Sequence, residues 1–143
     1  MSSYDRTVGS GSIELVVQTE RRTQLLDVTA EVRNAVKGEK GRVAFVFVPH
    51  TTAGIVLQAS GSGATWVAAD VETAFERLVD ESASWQHTAE GDRNPWAHVR
   101  AALTASSLTI PLVDGELALG ELQAIFLCEF DGPRERKLHV VVS

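Results

Sequence analysis

Apolar positions along this chain recur first with a period of two, then of three to four, and each change of period marks an element. Ile13, Leu15 and Val17 alternate with Glu14 and Gln18 and predict a half-buried strand, Val16 notwithstanding. Residues 24–28 form a second short apolar stretch leading into Thr29, a candidate helix N-cap. Val28, Val32, Ala35 and Val36 then fall at helical spacing, with Gly38 as the stop. Residues 41–48, G-R-V-A-F-V-F-V, are a nearly unbroken apolar run rich in β-branched and aromatic side chains. Such a run predicts a central strand buried on both faces, ended by Pro49.

Residues 53–59 read as the next strand and residues 60–63, S-G-S-G, as a flexible break. Val67, Val71, Ala74, Phe75, Leu78 and Val79 trace one face of a helix over residues 65–80, with Asp70, Glu72, Glu76 and Arg77 elsewhere on it. Asn94-Pro95 is a helix start, with asparagine at the N-cap and proline at N1. It puts His98 in the first turn or so of a short helix ending near Leu103. The rest reads as strand: residues 108–113, the turn Asp114-Gly115, 116–119, 122–130, the turn Asp131-Gly132, and 137–142, a meander of hairpins. Residues 1–12, small, polar and glycine-bearing, read as a frayed tail. The predicted fold class is α+β: one domain over residues 13–143, a mainly antiparallel β-sheet packed with two or three helices.

Composition narrows the partners. A chain of 143 residues, 44% hydrophobic and 22% charged, has the length and apolar content for a real core and is not a disordered segment. A formal net charge of -6 argues against nucleic acid or an anionic membrane as the main partner, although local donors can still hold a small anion. Cys128, the single cysteine, leaves no internal disulfide and no CxxC zinc site. No apolar run approaches the roughly 20 residues that cross a bilayer. Residues 1–12 carry neither a basic nor an apolar signal region, so the cytoplasm is the expected compartment.

The chemistry concentrates in three histidines: His50 in V-P-H-T-T-A-G, and His87 and His98 at the two ends of H-T-A-E-G-D-R-N-P-W-A-H. Imidazole can ligate a metal, move a proton or hold a phosphate near neutral pH. The spacing H-x10-H matches no compact metal motif, so on spacing alone ordinary surface residues are the commoner explanation. Glu90 and Asp92 between them fit acid–base or orienting roles, or simply a turn beside Gly91. His139 alternates with Leu138 and Val140 and reads as a surface or interface residue. The S-G-S-G stretch joins a strand to a helix start, where backbone N–H groups favour phosphate, yet it lacks the lysine of a P-loop. Arg134 and Arg136 fall on one side of the last strand, to hold an anion or to solvate a sheet edge. Trp66, Trp85 and Trp96 read as packing residues.

At these segments the chain resembles the YjbQ-like family, also called the secondary thiamine-phosphate synthase family. V-F-V-P-H-T-T-A-G is similar to the family's F-V-P-H-T-[ST]-A-[AG], and H-T-A-E-G-D-R-N-P-W-A-H-V to its H-x-x-E-G-x-x-x-x-x-x-H-I. The stretch from S-S-L-T-I-P to D-G-P-R-E-R resembles its C-terminal signature. The resemblance implies a homotrimer, an expectation to which the sparsely charged residues 122–127 add. It also implies a pocket near a subunit boundary where His50, His87 and His98 hold a divalent metal such as zinc, or an anion. Catalysis would then fall to His50, His87, Glu90 and His98, with Glu90 an orienter and no ligand. Thr51, Thr52, Ser60, Gly61, Ser62, Asn94, Gln123 and Arg134 would hold a small phosphorylated metabolite. The implied reaction joins a hydroxymethylpyrimidine diphosphate to a thiazole phosphate with loss of pyrophosphate.

This chain also departs from the pattern. Where the family continues I-N-E-N-A-D, Gln58 and Ser60 stand for asparagines, Ala59 for a glutamate and Ser62 for an aspartate. Leu122 replaces a tryptophan, and Pro95-Trp96 a Met-Pro. With those acids gone, magnesium has fewer carboxylates to bind, and the S-G-S-G loop becomes the expected phosphate-facing wall. Two readings follow: a synthase-like transferase, adopted here, and a non-catalytic protein that binds a metal or a phosphometabolite.

Overall fold

The computed structural model describes residues 3–5, 12–88 and 94–143. Twelve elements follow in order: β1 (Ser3–Asp5), β2 (Ser12–Gln18), β3 (Gln24–Asp27), α1 (Thr29–Val36), β4 (Val43–Phe47), β5 (Ala53–Ala59), α2 (Val67–Leu78), α3 (Pro95–Ala102), β6 (Ser107–Val113), β7 (Glu116–Leu117), β8 (Gln123–Glu129) and β9 (Glu135–Val142). A six-stranded sheet runs β1-β2-β9-β4-β6-β7 and a three-stranded sheet runs β3-β8-β5. Every pairing between named strands is antiparallel.

The alternation in β2 works as the pattern predicts, since Ile13, Leu15 and Val17 are buried. They join Ala44, Val46, Ile110, Leu138 and Val140 of the large sheet, Ile55, Ile125 and Leu127 of the small one, and Val32, Ala35 and Val36 of α1 in the main core. The other face of the small sheet carries Leu25, Ala124, Phe126 and Cys128, against which Ala97 of α3 and Val71 and Phe75 of α2 pack. Its outcome is a layered order of large sheet, small sheet and the helix pair α2–α3.

Several expectations change. The strand buried on both faces is β8, where Ala124 to Glu129 are all buried, and not β4. In β4 the small residues Ala44 and Val46 face the core while Phe45 and Phe47 are 42% and 45% exposed on the outer face. Residues 124–127 are therefore used up inside the chain, while Leu122, 53% exposed, and Gln123 stay at the surface. Of the predicted meander only the β6–β7 hairpin forms, through Asp114 and Gly115 at positive φ (52° and 79°), as a type I′ turn requires. After Asp131-Gly132 the chain leaves the small sheet for the large one, so β8 and β9 are not partners. Where a tail was expected, Ser3–Asp5 pair with Glu14–Val16 of β2.

Local chemistry explains the remaining differences. Thr29 lies inside α1, not at its cap: Asp27 Oδ1 accepts both the Thr29 N–H (2.9 Å) and hydroxyl (2.6 Å), and Thr29 Oγ1 accepts the Ile125 N–H. Glu72 is the buried residue of α2; Arg21 pairs with it at 2.8 Å and the Leu25 N–H donates to it at 2.7 Å, which satisfies the carboxylate. Trp66, expected to pack, is 74% exposed, whereas Trp96 packs beneath the Arg22 guanidinium, 4.5 Å from its ring centre. Among the described residues no helix is long and apolar enough to cross a membrane.

Candidate functional site

Proline at N1 and asparagine at the N-cap start α3 as predicted, and His98 follows one turn in. The Asn94 side chain does not cap the helix; its Nδ2 donates instead to Asp131 Oδ2 at 2.7 Å. His87 arrives from the loop after α2, whose first turn is closed by Asp80 Oδ1 accepting the Ser82 N–H and hydroxyl. Trp85 anchors the same loop by donating Nε1–H to the Asp80 carbonyl at 3.2 Å. The result is an edge-to-face pair of imidazoles, His87 and His98, with ring centres 5.1 Å apart. A cavity of about 320 Å³ opens beside them, lined by Trp85, Gln86, Pro95 and Val99 as well as the two histidines. Glu90, named with Asp92 as an acid–base or orienting group, lies outside the described residues.

His50 is not among the residues that line this cavity; it lies where the chain passes from β4 into β5. The chain leaves β4 at Phe47, passes Pro49 and bends through Thr51 and Thr52 into β5. There the Lys137 N–H donates to His50 Nε2 at 2.9 Å. Beneath it lies a buried ion pair, Glu129 (0% exposed) with Arg136 (3%). Arg136 donates from Nε to Glu129 Oε2 at 2.8 Å and from Nη2 to Thr52 Oγ1 at 2.8 Å. Thr19 Oγ1 and the Asp131 N–H both donate to Glu129 at 2.9 Å, so the carboxylate is fully met. Burial, and after it the Arg136 guanidinium, push the half-buried His50 imidazole below its ordinary value of 6.5, with Arg134 adding to the effect.

Arg134 donates Nε–H to the Asp131 carbonyl and Nη2–H to Asp131 Oδ2, at 2.8 and 2.7 Å. Asp131 thus gathers Asn94 and Arg134 on one carboxylate. Arg136, its supposed companion, is neither an anion holder nor an edge residue but the buried partner of Glu129. Thr51 is exposed beside His50, and Thr52 is buried as an acceptor for Arg136.

The S-G-S-G loop does not wall the histidine cavity. In the β5–β8 ladder Ala53 faces Glu129 at one end and Ala59 faces Gln123 at the other. At ~3.3 Å per residue the two ends are about 20 Å apart. Ser60, Gly61 and Ser62 lie at the far end, with the Ser60 N–H bound to the Leu122 carbonyl at 2.9 Å, and Gln123 folds its Oε1 onto the Gly120 N–H. None of the four lines the cavity. A further cavity, about 520 Å³ between α1 and the β6–β7 hairpin, holds none of the expected site residues either.

Sequence reasoning missed Glu129 and Asp131 as organising groups. A signal was present: E-F-D-G-P-R-E-R packs five charges into eight residues directly after an apolar run.

Comparison with other proteins places this geometry. A family profile described as UPF0047 protein YjbQ-like matches residues 13–143. The chain belongs to the UPF0047, YjbQ-like family. A UPF0047 protein of Methanothermobacter thermautotrophicus is 36% identical over 91% of this chain and 90% of its own length. UPF0047 protein YugU of Bacillus subtilis is 33% identical over 88% of this chain and 94% of its own. Among solved structures, a YbjQ-like protein of unknown function from Sulfolobus solfataricus P2 aligns over 99% of this chain and 96% of its own, with a TM-score of 0.81 and 31% identity. A UPF0047 structure from Clostridium acetobutylicum aligns over 92% and 99%, with a TM-score of 0.82 and 34% identity.

Among the described residues of this UPF0047 chain the donor set does not fit the three-histidine metal centre that the resemblance implies. Among the described residues no three His, Cys, Asp or Glu side chains gather as ligands. His87 and His98 offer one imidazole each, whereas the acceptor lone pair of His50 is spent on the Lys137 N–H. Zinc needs three or four such donors.

Proposed function

We propose that this UPF0047 chain is a transferase of the thiamine-phosphate synthase type, acting on a phosphorylated heterocycle at the His87/His98 cavity. The observation that carries the reading is that cavity: two imidazoles, edge to face at 5.1 Å, beside Trp85, Pro95 and Val99. An apolar wall suits a flat heterocycle, and imidazole nitrogens near the start of α3 suit its phosphate. In the reaction a thiazole nitrogen bonds to the methylene carbon of the pyrimidine diphosphate as the bond from that carbon to the diphosphate oxygen breaks. Charge grows on the departing pyrophosphate, so donors aimed at it lower the barrier and no strong base is needed. His98 and His87 fill that role here.

The working form in this reading is a homotrimer. Support comes from the outer face of the large sheet, where Phe45 stands opposite Val141 and Phe47 opposite His139. An apolar patch of this kind is a common subunit contact. Trimer assembly also gives Ser60, Ser62 and Gln123 a route to a histidine cavity, that of the neighbouring copy.

The test is incubation of the purified protein with hydroxymethylpyrimidine diphosphate and thiazole phosphate, followed by mass spectrometry for thiamine phosphate and an assay for pyrophosphate. Turnover is expected, and a loss of about a hundredfold in His98→Ala. Tight binding of both compounds without product selects the non-catalytic reading.

A further inference from the structure

The hydrogen bond at His50 fixes more than the position of a ring. A neutral imidazole has one N–H and one lone pair. At His50 the lone pair is on Nε2, because that atom accepts the Lys137 N–H at 2.9 Å, so the proton is on Nδ1. Lys137 belongs to β9, where it stands opposite Val16 of β2, and β4 joins the other side of β9 from His139 onward, so this donor cannot move aside without disturbing the large sheet. Every other state of the ring conflicts with it. A metal on Nε2 would displace the Lys137 N–H. A metal on Nδ1 would send the proton to Nε2, and two N–H groups would then face each other. Among the described residues Nδ1 has no partner within the chain. It is a fixed donor, and what it meets must be an acceptor.

Two further features say which kind. Thr51, the next residue in the chain, is exposed, and the charges of both Arg134 and Arg136 act on the His50 ring. Arg134 commits Nε and Nη2 to Asp131, leaving Nη1 outside that contact. A hydroxyl, an imidazole N–H and a guanidinium edge together recognise an oxyanion.

We propose that His50 serves this UPF0047 protein as a neutral hydrogen-bond donor, through Nδ1–H, to a phosphate oxygen of the ligand, and not as a metal ligand. This deepens the reading above by naming what His50 takes, yet it is measured on the free protein and does not depend on turnover.

The test uses full-length chain with ¹⁵N-labelled histidine, read by long-range proton–nitrogen correlation at pH 7.5, with His50→Ala supplying the assignment. His50 is expected with Nδ1 protonated and Nε2 bare. Inorganic pyrophosphate is expected to shift Nδ1–H, and one equivalent of zinc to leave both His50 nitrogens unmoved. An Nε2–H tautomer, capture of His50 by zinc, or an Nδ1–H indifferent to pyrophosphate would each overturn the proposal. Two variants separate the roles of the nitrogens. His50→Asn keeps an N–H donor near the Nδ1 position, and His50→Gln keeps an acceptor near Nε2. Calorimetry should find pyrophosphate affinity down about tenfold in His50→Gln and much less in His50→Asn. The opposite order also overturns it. If either variant misfolds, the spectra of the parent chain still decide.

Discussion

Arg136 shows how much one buried charge commits a fold to. Its guanidinium is 3% exposed and binds a carboxylate that is itself sealed from water, while also holding the Thr52 carbonyl and hydroxyl. Removing one member of such a pair leaves the other uncompensated, at about 3–5 kcal/mol. Arg136→Met should therefore lower the unfolding free energy read from urea melts by that much, and the double variant with Glu129→Met should recover part of it. His50 yields a second expectation at this scale. Its folded-state value lies below 6.5, so the fold favours the neutral ring. Between the two values the unfolded chain binds more protons, and stability rises with pH there. This contribution is complete above about 6.5 and is lost as pH falls through the depressed folded value. His50→Gln should flatten that part of the stability curve, as read by urea melts at pH 7 and pH 5. Cys128 completes the residue scale: burial pushes its thiol up to about 12, so thiol reagents should label it only after unfolding.

Among the elements, those with a local signature were legible and those defined by their neighbours were not. The alternation of β2, the Asn94-Pro95 start of α3 and the Asp114-Gly115 turn each depend on a few adjacent residues, and each formed as expected. The two-sided burial of β8 depends on what covers it. Phe45 and Phe47 made β4 look more buried than it is, because hydrophobicity alone does not say whether the cover is the same chain or another copy. The candidate site shows the same limit. His87 and His98 meet because a single loop and helix bring them together, whereas Ser60 and Gln123, which the motif groups with them, do not line their cavity. A glycine supplies the element-scale test. A Cβ on Gly54 would overlap Thr104 Oγ1, where β5 meets the segment after α3. Gly54→Ala should cost about 1–3 kcal/mol, visible as a lower melting temperature, and should disturb the His98 ring signals before those of His139.

Among the described residues, Phe45, Phe47 and Val141 are exposed together on the outer face of the large sheet. If copies meet there, light scattering gives three times the 15.4 kDa chain mass, and Phe45→Lys with Phe47→Lys returns it to the single-chain value without loss of secondary structure. A trimer that survives both lysines would move the contact elsewhere. The order of strands in that sheet has a consequence in time as well as space. β9 lies between β2 and β4, and Ser12 of β2 faces Val141. On the ribosome β9 is the last of these strands to emerge, so until then β2 keeps open the edge away from β1, and β4 the edge away from β6. The sheet therefore cannot close piecemeal during synthesis, and its long-range pairing sets refolding in the millisecond-to-second range of slow two-state β-proteins. Until β9 arrives, those two half-paired strands expose backbone donors and acceptors on which another chain can add, so the interval before β9 is the one in which association with other chains competes with folding.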